Sequence, residues 1–283
     1  MQKTTGYKFY PYRVTPDLIL YAEPSTWMPL VSSFLLPQLR RGAPDRWRKR
    51  KLDRLYADDS EWLLILGAGL KVPYDCVEGE LNCRLKTRRI LGFHACRPKD
   101  LDGYFSSGIM ALDSPALIEL LEDAIEELET PSLRSELLAT GRSRLKEHTN
   151  SVVYFVLDQR DLLRRAGHYL IYGSEWLCSV FGPRRPLLRN RGVPTPMEVA
   201  FPLAEASDGD RQQLARLLLQ EWTRLTALNL DAPRLVDFSF AVRGGIPSES
   251  IVGHSHPSSI LDPLDGFREY VHARTTCRHC GSL

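Results

Sequence analysis

The chain has no surplus of charge of either sign: 37 Lys and Arg stand against 35 Asp and Glu, a net of +2 over 283 residues. General attraction to nucleic acid or to an anionic membrane is therefore excluded, and binding of that kind would need a local patch. No apolar run approaches the roughly 20 residues that span a bilayer. The opening Met1-Gln2-Lys3-Thr4-Thr5 lacks the apolar stretch of a secretory signal. The expectation is a cytoplasmic protein with no membrane partner. Cysteine is scarce, six residues in all, which excludes a disulfide scaffold and predicts reduced thiols. There is no internal repeat and no low-complexity segment. With no convincing linker, the chain reads as one domain: a basic extension over 1–60, a core over 61–250 and a His/Cys segment over 251–283.

The elements present are ordinary ones. Asp17–Ala22 reads as a strand before the turn at Glu23-Pro24-Ser25. Arg46-Trp47-Arg48-Lys49-Arg50-Lys51 is a dense basic run; it is either a phosphate-contacting surface or, the plainer reading, a solvated helix face. The apolar run Trp62–Gly67 predicts a strand buried on both faces, and the Gly67-Ala68-Gly69 that closes it lacks the third glycine of a dinucleotide fingerprint. Arg89–Ala95 predicts another strand, with His94 near its end. Asp113-Ser114-Pro115 is a helix start, followed by Leu117, Leu121, Ala124, Ile125 and Leu128 on one face. Thr130-Pro131 starts a second helix running to about Lys146. Ser151–Asp158 and His168–Tyr172 have the β-branched and aromatic content of strands. The Pro-, Arg- and Gly-rich stretch from Phe181 to Pro196 reads as an exposed loop that would choose substrates. Asp208 to about Leu228 carries an amphipathic helical stripe, and Val236–Val242 alternates as a half-buried strand.

The C-terminus holds a candidate metal site. Cys277-Arg278-His279-Cys280 supplies a Cys-x-x-Cys pair, with His272 before it and His254-Ser255-His256 upstream; thiolate and imidazole are the donors zinc prefers. Cys277 and Cys280 are the candidate ligands of a structural zinc, and Cys76 with Cys83 would complete the set in space. The alternatives are an unliganded exposed tail and, for His254 and His256, a place lining a cleft. A zinc site together with the Arg46–Lys51 run and the Arg184–Arg191 loop fits a non-enzymatic nucleic-acid-binding or interaction protein.

A second reading comes from resemblance. His94-Ala95-Cys96-Arg97, followed by Tyr104 and Gly108-Ile109, resembles the start of an ADP-ribosyltransferase domain. Val152-Val153-Tyr154-Phe155 is similar to the strand carrying that family's stacking tyrosine, and Tyr172-Gly173-Ser174-Glu175 to the strand carrying its glutamate. Their order matches the His-Tyr-Glu branch of diphtheria toxin and the poly-ADP-ribose polymerases. Gly173 departs from the Glu-x-Glu pair of the other branch, and the segment before Tyr154 lacks the usual compact Gly-rich pattern, which leaves Tyr104 as a substitute. The resemblance implies an α+β fold of two packed, mainly antiparallel sheets with NAD in the cleft between them. It implies catalysis by His94, Tyr154 and Glu175, and NAD contacts from His94, Arg97, Tyr104, Tyr154 and Ser174. The implied reaction releases nicotinamide and passes ADP-ribose to a protein or nucleic-acid acceptor, as a toxin or effector would, or hydrolyses NAD. The chemistry suits the residues. Breaking the nicotinamide–ribose bond builds positive charge on the sugar, which a carboxylate such as Glu175 stabilises. An aromatic face stacks on the cationic ring, and Arg97 is expected to meet the pyrophosphate.

Overall fold

The computed structural model describes residues 15–49, 61–145, 152–272 and 277–281. Arg50 and Lys51 of the basic run, Lys146 and Ser151 lie outside the described residues. In chain order the elements are β1 (Leu18–Ile19), α1 (Met28–Gln38), α2 (Ala43–Lys49), α3 (Glu61–Gly69), α4 (Tyr74–Leu85), β2 (Arg89–Cys96), α5 (Asp102–Ser107), α6 (Ser114–Glu127), α7 (Arg134–Leu145), β3 (Val152–Val156), α8 (Gln159–Arg164), α9 (His168–Tyr172), α10 (Glu175–Phe181), β4 (Thr195–Pro202), α11 (Asp208–Leu228), β5 (Ser239–Arg243), β6 (Ile251–His254), β7 (Ser259–Asp262) and β8 (Arg268–Val271). The fold is α+β.

One main sheet organises the chain. Its strands run in the order β5-β3-β2-β4-β6, all antiparallel, with short β1 added parallel to β2. Helices cover both faces, and β4 is buried along its length, with only Pro202 less than fully buried. Alternation along β2 separates the two cores. Ile90 and Cys96 face a cluster completed by α1 to α4 and α11, whereas Leu91 and Phe93 face one completed by α6 to α10. We refer to these as the first and second faces. The second sheet expected in the fold is only the hairpin β7–β8, which docks on α8 and α9 rather than on the main sheet. Arg189 anchors it, its Nη2 reaching Asp262 Oδ2 at 2.8 Å while the Tyr172 hydroxyl donates to the same carboxylate.

Several expectations are met by local chemistry. Asp113 Oδ1 accepts from Ala116 N at 3.0 Å and starts α6, whose buried face is Leu117, Leu121, Ala124 and Ile125. The long α11 begins after Ser207, which caps Asp210 N. Two expected strands are instead helices. Trp62–Gly67 lies in α3, which buries Trp62, Ile65, Leu66 and Gly69 and leaves Leu64 71% exposed; that spacing belongs to a helix packed on one side only. His168–Tyr172 is α9, ended by Gly173 at φ +88°, a conformation that glycine alone adopts freely. The half-buried strand predicted from Val236 starts only at Ser239, and that from Asp17 is reduced to Leu18–Ile19. Residues 18–49 are no appendage: Trp27, Val31 and Leu35 are fully buried in the core of the first face. Likewise β6, within the expected C-terminal segment, is a strand of the main sheet.

Gly92 shows how tightly the first face is packed. A Cβ there would sit 2.1 Å from the Phe155 ring, which is itself stacked on Phe240 at 5.0 Å. Gly92→Ala is expected to destabilise the protein by about 1–3 kcal/mol through overpacking, read as a lower denaturation midpoint at unchanged slope.

A candidate metal centre at the end of the main sheet

The ends of three strands meet at one edge. Cys96, the last residue of β2, lies across from Thr195, the first of β4, and His254, the last of β6, lies across from Met197. Beyond β6 the chain stays extended, with Ser255 N donating to Pro196 O at 3.1 Å. His254 and His256 therefore leave the same side, and their ring centroids are 5.0 Å apart. The chain then makes the β7–β8 hairpin and returns as the turn Cys277–Gly281, closed by Gly281 N donating to Cys277 O at 2.8 Å. This brings Cys277 and Cys280 to the two histidines. One donor atom from each of His254, His256, Cys277 and Cys280 lies within 4.8 Å of all the others.

The donor chemistry fits zinc. His254 Nε2 is 3.3 Å from Cys277 Sγ, close to the roughly 3.5 Å edge of a tetrahedron with Zn–N near 2.0 Å and Zn–S near 2.3 Å. Nδ1–H of His256 donates to Thr195 Oγ1 at 3.2 Å, with the Pro194 carbonyl at 3.4 Å, while the Thr195 hydroxyl gives its own proton to Val193 O. That fixes the tautomer with its lone pair on Nε2, the usual outer support of a metal-bound imidazole. Nε2 of His256 is buried without a hydrogen-bond partner, a costly arrangement for a polar atom with nothing to bind. Burial holds His254 at about pKa 4 and lowers His256, so both imidazoles are neutral at neutral pH, the form that ligates metal.

The Cys turn is also fastened from outside. Asp102, at the start of α5, accepts from His279 Nε2 at 2.9 Å and pairs with Arg278. Phe105 packs its ring against His279 at 4.8 Å and against His254 at 5.7 Å. The other candidates are not part of this donor set. Cys76 and Cys83 are exposed on α4, and His272 stacks on Tyr270 instead. The sequence signal for the full set was the His-x-His pair ahead of the Cys-x-x-Cys. Asp102, Phe105 and Thr195, which support the ligands, carry no such signal.

No family model matches this chain, and no curated protein or solved structure is similar to it.

The residues expected to bind NAD fall on two faces of the sheet. His94 lies across β4 from Met197, on the rung that ends in His254, so its side chain leaves the sheet on the first face. Its Nδ1–H donates to the Tyr154 carbonyl at 2.8 Å. The Tyr154 ring belongs to the second face, since its neighbours Val153 and Phe155 fill the first, and it is 58% exposed. Glu175 is not at a strand end. It is the exposed first residue of α10, after Ser174, whose Oγ caps Leu177 N at 3.0 Å. A carboxylate in the first turn complements the helix dipole, and Glu175 Oε2 accepts from the Tyr169 hydroxyl at 3.0 Å. α9 and α10, which carry Tyr169 and Glu175, complete the core of that same face. Tyr154, Tyr169 and Glu175 thus share the second face, and His94 does not join them. Tyr104 packs on the first-face core, where the buried Cys96 thiol donates to Thr195 O at 3.1 Å. Arg97 is buried, its guanidinium bonded to the carbonyls of Leu170, Arg189 and Arg191.

Burial lowers the pKa of His94, with the bond to Tyr154 O opposing in part. The unfolded chain takes up this proton near pH 6.5, whereas the folded protein resists it. The unfolded state therefore binds more protons below that value, and stability falls as pH drops from about 7 to 5. His94→Asn, which keeps a donor near the Nδ1 position, is expected to make that fall in unfolding midpoint shallower.

Proposed function

We propose that this chain is a zinc-stapled α+β protein, in which one zinc ion held by His254, His256, Cys277 and Cys280 locks the C-terminal turn onto the end of the main sheet. The reading is carried by the four convergent donors, one of them the buried and otherwise unpartnered Nε2 of His256. Four protein ligands fill a tetrahedral ion and leave no position for water or substrate, so the metal's role is structural. Elemental analysis of protein purified from zinc-supplemented medium tests this. One zinc per chain is the expected result; a folded chain without zinc would refute it.

A second reading rests on a different observation. Tyr154, Tyr169 and the exposed carboxylate of Glu175 share the second face. An aromatic surface beside a carboxylate suits a cationic ring on a sugar, which is the nicotinamide end of NAD. On this reading the chain transfers ADP-ribose from NAD to a protein or nucleic-acid acceptor. Nicotinamide release by the pure protein, abolished in a folded Glu175→Ala variant, would support it. No release, or release unchanged by that substitution, would remove it.

A further inference from the structure

We infer that the turn joining α1 to α2, with the groove beside it between α1 and α4, binds single-stranded nucleic acid. The turn gathers cations from two segments about thirty residues apart. An isolated bridge pairs Leu39 with Leu70, with Arg40 N donating to Gly69 O and Lys71 N to Gln38 O, each at 2.8 Å. This sets Arg40, Arg41, Arg46 and Lys71 around one short stretch of main chain, all four exposed.

Three of the four side chains are held by carbonyl oxygens. Arg40 Nε donates to Leu70 O at 3.0 Å, Arg46 Nη1 to Arg41 O at 2.6 Å and Lys71 Nζ to Pro37 O at 2.9 Å. Among the described residues no carboxylate is bonded to any of the four. Carbonyl bonds orient a cation without cancelling its charge. By contrast, Arg48 of α2 pairs with Asp45, and Arg84 of α4 pairs with Glu80.

A groove of about 370 Å³ adjoins it. Pro37 and Gln38, from the end of α1 at the bridge, form one wall, and Phe34, Val72 and Val77 supply apolar surface. At the far end the Arg84 guanidinium lies over the Phe34 ring, 5.2 Å from its centroid, and is fixed by Nε to Glu80 Oε1 at 2.6 Å. A guanidinium plane backed by an aromatic ring is a stacking platform for a base. A row of cations leading away from it follows the phosphates of the same strand. A duplex keeps its bases stacked inside, so an unpaired strand is the form that uses both features. The one carboxylate in the groove, Glu80, is occupied by Arg84.

The test is fluorescence anisotropy of the full chain with a labelled oligothymidine of about 12 nucleotides. With three to four phosphates engaged, log K is expected to fall against log salt with a slope between about −2 and −3. The triple variant R40E/R41E/K71E should bind at least about tenfold more weakly, with a flatter slope, and Arg84→Ala several-fold more weakly, as expected of a lost stacking contact. Arg41→Glu, whose side chain holds no other group among the described residues, serves should the triple variant fail to fold; it should weaken binding about threefold with circular dichroism unchanged. Three results would overturn the inference: no binding at low salt, binding unaffected by these substitutions, or equal affinity for an acidic peptide of the same length and charge.

Discussion

Replacing both Cys277 and Cys280 with serine is expected to strip the chain of zinc and lower its stability by about 4 kcal/mol, the linkage expected when a bound ligand is present near a thousand times its dissociation constant. Serine hydroxyls are poor zinc ligands at neutral pH, and the two imidazoles left behind make half a site. The loss cannot be made up by the contacts outside the centre. Arg278 and His279 reach Asp102 at the surface, where solvent screening leaves such pairs little to contribute. Asp102→Asn should therefore leave zinc content intact and move the unfolding midpoint little. A chelator should lower the wild-type midpoint to that of the double serine variant and leave the variant where it is. If chelator-treated and untreated wild type unfold at the same temperature, the four donors do not hold a metal that matters to the fold. The damage should also be local. His254 and His256 sit at the end of β6, so hydrogen exchange is expected to rise first at β6 and at α5, whose Phe105 packs on His254 and His279.

What the residue pattern revealed, and what it hid, follows from how each element gets its stability. α6 and α11 were legible because a cap and a 3.6-residue stripe coincide in each. The Trp62–Gly67 run was misread because six apolar residues fit a buried strand and a helix equally. Extending the window to Gly69 exposes the periodicity, since the buried positions 62, 65, 66 and 69 repeat every three or four residues. His168–Tyr172 was misread on β-propensity, which tertiary packing overrides in so short a segment. The relevant signals were glycines: Gly167, where a Cβ would strike Leu261 O at 2.1 Å, and Gly173 at the helix end. In the metal centre, the Cys-x-x-Cys turn was legible because its ligands are local. The histidine partners were seen but not assigned, because the β7–β8 hairpin intervenes and only the three-strand edge brings the two halves together. The separation of His94 from Glu175 was invisible for a similar reason: a strand's period decides which face a side chain takes, and register with β4 is not written in β2.

Arg97→Met is expected to cost about 3–5 kcal/mol, a buried-network loss rather than a loss of ligand affinity. Arg97 is 5% exposed and its guanidinium donors are used on the protein itself. Nε donates to Arg191 O at 2.6 Å, Nη1 to Leu170 O at 3.1 Å, and Nη2 to Arg189 O at 2.5 Å and to the Tyr270 hydroxyl at 3.1 Å. The Tyr270 ring lies 5.6 Å beneath it. Burial lowers the Arg97 pKa, yet an arginine stays charged in protein surroundings, so the carbonyl dipoles must carry the charge. One side chain thereby ties the end of β2 to α9, to the 182–190 segment and to β8. Methionine fills the volume but takes the guanidinium donors away from the Leu170, Arg189 and Arg191 carbonyls and leaves Arg189 O only the long bond from the Tyr270 hydroxyl at 3.5 Å. Lysine keeps the charge, but as a compact point it cannot span three acceptors set around a planar fork, so Arg97→Lys should recover only part of the loss. The contrast with a pyrophosphate-binding role is direct. An arginine kept for a ligand is free in the unliganded protein, and its removal would leave the denaturation midpoint unchanged while weakening NAD binding. A midpoint that falls sharply for methionine and by less for lysine, with the denaturant slope preserved, identifies Arg97 as the pin that holds α9 in place. Tyr169, which lies in α9, and the Glu175 carboxylate that it bonds then owe their position to it.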